Sequence, residues 1–97
     1  MKQTTFYIAL NIRTGYGYEC FGKFFIGNNK KSAAAIFDQL KGRTNVDEKS
    51  ILQLDLMESV NGLPTNMQMI SCSLEDLAEN CKIITKERFR LLNMEEL

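Results

Sequence analysis

The sequence contains no histidine, a single proline and three cysteines, and neither sign of charge predominates. Without an imidazole, the Ser-His and Cys-His nucleophile systems are ruled out, and acid–base chemistry falls to carboxylates and lysines. The thiols are odd in number and form no CxxC, and no histidine complements them. A disulfide framework and a four-ligand structural zinc site are therefore both disfavoured. Reduced, buried thiols in a cytoplasmic protein are the expectation, with no metal and no cofactor. Twelve basic residues balance twelve acidic ones, so the strongly basic surface of a dedicated nucleic-acid or anionic-membrane binder is missing. No apolar run reaches the length of a transmembrane helix. The stretch from Phe6 to Ile12 alternates and is broken by Asn11 and Arg13, which reads as a strand rather than a signal peptide.

What is present is periodicity. Phe6, Ile8, Leu10 and Ile12 recur every second residue, with Thr5, Tyr7, Ala9 and Asn11 on the opposite face. Gly15 and Gly17 suit a chain reversal. A second strand follows over residues 18–26, with Cys20, Phe24 and Ile26 facing inward and Glu19, Phe21, Lys23 and Phe25 outward; Gly22 marks a bulge or a close approach. Ala33, Ile36, Phe37 and Leu40 fall at i, i+3, i+4 and i+7, one stripe of a helix capped by Asn28 or Asn29 and stopped by a left-handed Gly42.

The pattern then repeats. Leu52, Leu54, Leu56 and Val60 alternate in a third strand over residues 51–60, and Asn61-Gly62 is a strong hairpin signal. Leu63-Pro64 extends the loop and delays a fourth strand to residues 66–72. Ser73 and Asp76 open a second helix, whose stripe is Leu74, Leu77, Ala78 and Cys81. The order ββαββα predicts one α+β domain over residues 1–97, built of units 4–42 and 50–82 with a helical tail over 83–97. Its architecture is a two-layer sandwich, a mainly antiparallel four-stranded sheet with both helices on one face. A chain of 97 residues buries about two-thirds of its unfolded surface, enough for one core without staples.

The sheet face turned away from the helices is more apolar than a solvated face should be. It carries Tyr7, Ala9, Phe21, Lys23, Phe25, Ile51 and Met57 with Gln53 and Asp55. The C-terminal tail, a second copy, a foreign protein or a ligand could cover it. The leading expectation is a non-catalytic protein-interaction or homo-oligomerisation module, with Tyr7, Phe21, Lys23 and Phe25 as binding candidates. The halves differ in charge: residues 1–49 hold eight basic against four acidic residues, and residues 50–97 the reverse.

Two alternatives rest on smaller groups. Exposed rings beside Lys23 could stack single-stranded nucleic acid, although the strand order departs from an RNA-recognition domain and the net charge is nil. Glu58, on the inner phase near Asn61, Thr65 and Asn66, is the one candidate for a carboxylate-dependent enzyme. Asn28-Asn29-Lys30-Lys31 reads as a helix start with solvated lysines, and Asn80, Thr85 and Lys86 as a helix terminus.

Overall fold

Alternating large apolar residues favour extended chain, because every second side chain then leaves water together. The computed structural model, which describes residues 3–44 and 51–95, carries four such strands: β1 (Thr4–Thr14), β2 (Gly17–Phe25), β3 (Leu52–Val60) and β4 (Leu63–Cys72). They form one antiparallel sheet in the order β2-β1-β3-β4. Helices α1 (Lys30–Asp38) and α2 (Leu74–Glu95) follow the two hairpins, completing the expected α+β sandwich. Phe6, Ile8, Leu54, Leu56 and Ile70 meet Ala33, Ile36 and Phe37 of α1 and Ile84 of α2 in one core. Among the described residues, no helix is long and apolar enough to cross a membrane.

Both hairpins close through two residues. Asn61 and Gly62 have φ of 53° and 86°, the left-handed pair that matches the twist of the flanking strands. Asn61 is also clasped to the start of β1: its N–H donates to the Gln3 carbonyl at 2.8 Å, and its Oδ1 accepts from the Gln3 N–H at 3.0 Å. Pro64 does not delay β4, contrary to the sequence expectation. Val60 and Leu63 close the turn and Ser59 faces Pro64. In a two-residue hairpin that second pair exchanges no bonds, so the proline nitrogen points to the open edge of the sheet.

Each hairpin contains one bulge. Leu10 faces Gly22 while Asn11 faces Cys20, so Phe21 is the extra residue. The slip moves Cys20 to the phase of Asn11 on the outer face, not inward as simple alternation implies. In β4 the extra residue is Met67, between the partners of Leu56 and Met57, and it packs against the core. A flexible thioether suits such an irregular gap.

The helices depart from the sequence pattern at their ends. Asn29 caps α1, its Oδ1 accepting the Ser32 N–H at 3.0 Å. The helix ends at Asp38, with Gln39 as a right-handed cap, so Gly42 is not the left-handed stop. It lets the chain approach β4: a Cβ at Gly42 would lie 2.6 Å from the Ser71 carbonyl oxygen. Beside it, Arg43 and Ser71 exchange backbone hydrogen bonds of 2.8 Å.

Ser73 and Asp76 cap α2 reciprocally. The helix then runs unbroken through Ile83-Ile84-Thr85, so the segment 83–97 is no separate tail as far as Glu95. Its buried line is Leu77, Asn80, Ile84 and Leu91, and Leu74 is 76% exposed. The burial face is thus turned by about a quarter of a turn from the stripe expected at residues 74–81. Ile84 and Leu91, three and five turns in, set the contact line of the long helix. Leu91 packs into the core, so to that point α2 lies on the inner side and leaves the outer sheet face uncovered.

Candidate interaction surface

The two-residue period fixes which side chains share the outer face, and the register sets them in rows. The central row runs Lys23, Ala9, Asp55, Met69 across β2, β1, β3 and β4. On one side of it lies Phe25, Tyr7, Met57, Asn66, and on the other Cys20, Asn11, Gln53, Ser71. Ala9 is the small residue at the middle, buried between bulkier rows. Neighbouring strands stand about 4.8 Å apart, so Lys23 and Asp55 are rooted about 10 Å from each other.

Asp55 is only 7% exposed although no second layer lies over it among the described residues. Asn11 Nδ2 donates to its Oδ2 at 2.9 Å and Gln53 Nε2 to its Oδ1 at 2.8 Å. Burial raises the carboxyl above its ordinary value of 3.8, outweighing the opposite pull of the bonds from Gln53 and Asn11. The result is an oriented carboxylate, screened by amides, at the centre of an apolar face.

Lys23 folds back over this face, its Nζ 5.4 Å from the centre of the Tyr7 ring, a favourable placement over the negative face of an aromatic ring. Tyr7 and Phe25 stack at 5.6 Å with a 49° tilt. Of the four binding candidates, Tyr7 is buried and forms the floor. Phe21, Lys23 and Phe25 are exposed, as are Tyr18 and Met69. The bulge takes Phe21 out of the regular ladder, so alternation does not assign it to a face.

The group around Glu58 does not converge. Thr65 is its cross-strand partner, but Asn66 pairs with Met57 on the opposite face, and Asn61 is engaged by Gln3. Glu58 itself is half-buried on the inner phase opposite Phe6. Near the start of α1, Asn28, Asn29 and Ser32 line a crevice of about 250 Å³ with Arg88 and Leu91; the Asn29 side chain there serves as the helix cap. Asn80 is not at a terminus but fully buried within α2. Of the thiols, Cys20 is exposed and Cys72 half-buried. Burial, then Asp76 and Cys81, pushes the Cys72 thiol up to about 11, which leaves it protonated and poorly nucleophilic near neutral pH.

Sequence reasoning placed Tyr7, Ala9, Lys23, Phe25, Gln53, Asp55 and Met57 on this face, but it turned Cys20 inward and missed the Asn11–Gln53–Asp55 network. Gln53 and Asp55 show as an i, i+2 polar pair between leucines; Asn11 joins them only once the β1–β3 register is known. Comparison with protein-family models, with curated proteins and with solved structures finds no match to this chain.

Proposed function

We propose that the protein is a non-catalytic interaction module that associates with a second copy of itself through the outer sheet face. The observation that carries this reading is the row Lys23–Ala9–Asp55. Rotation by half a turn about an axis along β1 at Ala9 reverses the row. Lys23 of each copy then stands over Asp55 of the other, and Phe25 over Met57. Such a contact is isologous, as most homodimers are, and sheets stacked face to face lie about 10 Å apart with their side chains interleaved. Ala9 leaves room at the axis. An exposed apolar face gains by burial, and a lysine brought to Asp55 supplies the countercharge that a buried carboxylate requires. Paired charges also fix the alignment of the two copies.

Light scattering over a range of protein concentrations tests this. Lys23→Glu and Phe25→Glu replace exposed side chains, so the fold is retained, and each is expected to halve the mass in solution. A mass that neither change lowers, or a chain monomeric at every concentration, refutes the reading. Nucleic-acid binding draws support from the exposed Phe21 and Phe25 beside Lys23, but a central carboxylate and zero net charge oppose it. Retention on single-stranded RNA that is salt-dependent and lost on Phe21→Ala would favour it instead.

A further inference from the structure

We infer that α2 carries a second self-complementary surface, on which another copy of the chain docks its own α2 in antiparallel orientation. Leu74 and Phe89 are 76% and 68% exposed, although both are large and apolar. Ala78 and Thr85 are exposed between them and Cys81 is half-buried. The steps of four, three, four and four residues keep all five on one line along the helix, about 22 Å long. This line lies away from the one that packs on the core.

The line is nearly symmetric about its midpoint, between Cys81 and Lys82. Leu74 corresponds to Phe89, and Ala78 to Thr85. Two antiparallel copies would therefore set Leu74 against Phe89 at both ends, with small side chains at the crossing, where helices must approach closely. The charges beside the stripe on its solvent flank follow the same rule. Glu75 and Glu79 precede the midpoint; Lys82 and Lys86 follow it. A two-fold axis through the crossing brings each acidic half to a basic half, whereas parallel pairing would stack like on like. The Lys82–Glu79 contact within one helix is 3.9 Å long and exposed, so it is readily exchanged for a partner across the interface. The occupant is thus a second α2. This surface is separate from the outer sheet face, and the inference does not rest on that reading.

The test is the mass of the full-length chain by light scattering, with circular dichroism as the check on folding. Phe89→Glu is expected to halve the mass. Glu75→Lys with Glu79→Lys is expected to do the same, and adding Lys82→Glu and Lys86→Glu should restore the larger species by reversing both sides of the match. A mass unmoved by Phe89→Glu, or a loss that the fourfold reversal does not repair, overturns the inference and leaves a foreign partner for this stripe. The two surfaces separate cleanly. If Phe89→Glu alone yields monomers, α2 is the contact and the sheet-face proposal fails. If it reduces a larger assembly to a dimer that Lys23→Glu then dissociates, both stand.

Discussion

Asn80 occupies a helical position where the neighbouring buried side chains are apolar, and it is buried completely. It is tolerated because it pairs with both main-chain groups of one residue, Lys41, as a β-strand would. Its Oδ1 accepts the Lys41 N–H at 2.7 Å and its Nδ2 donates to the Lys41 carbonyl at 2.8 Å. Removing one partner of a buried hydrogen bond leaves the other unsatisfied, which costs about 1–3 kcal/mol for each group. Asn80→Ala should therefore destabilise the fold by about 2–4 kcal/mol, allowing for partial rehydration, as read from urea unfolding. Retention of the wild-type midpoint would mean that water replaces both bonds. Nothing in the local sequence marks this role, since its partner is main chain 39 residues away. The Asp55 network was half legible for the same reason: a face can be assigned from alternation, but a cross-strand neighbour cannot.

At the scale of elements, the legible features are those encoded by short-range pattern. The alternation in β1 and β3, the Asn61-Gly62 turn, the Ala33, Ile36 and Phe37 part of the α1 stripe and the Ser73–Asp76 cap stand in the structure as the sequence implies, while Leu40 lies past the end of the helix. The misplacements share one cause, a tertiary contact acting on a local signal. Pro64 is accommodated by the edge position of β4, the Cys20 phase is flipped by the bulge at Phe21, and the face of α2 is set by Ile84 and Leu91 beyond the first apolar cluster. Gly42 is the sharpest case, because its role is close packing of one backbone on another rather than termination of a helix. Gly42→Ala forces a Cβ to within 2.6 Å of the Ser71 carbonyl, so the segment must lift from β4. The expected loss is about 1–3 kcal/mol, accompanied by faster hydrogen exchange at the Arg43 and Ser71 amides. Unaltered protection of those two amides would contradict this account of Gly42.

For the whole molecule, the ββαββα order and its layering followed from two local hairpins and two amphipathic helices, whereas the surfaces on which the proposed contacts rest depend on register and helix rotation. The Asp55 carboxyl links the outer face to stability. Burial makes the folded chain bind a proton at this site more tightly than the unfolded chain does. The stabilising contribution is therefore complete below the ordinary value of 3.8, and it is lost as the pH rises through the elevated folded value. In dilute solution, urea unfolding from acid to neutral pH should show wild type losing stability relative to Asp55→Asn across that interval. A pH-independent difference between the two would exclude Asp55 as the linked group. The pairing of Arg43 with Ser71 has a consequence for how copies can meet. That stretch of the β4 rim already has its donors and acceptors occupied, and on the far rim the bulge at Phe21 bends β2. A stray strand finds little straight, vacant backbone to extend at either border. Growth by edge addition, which has no natural stopping point, is thereby discouraged.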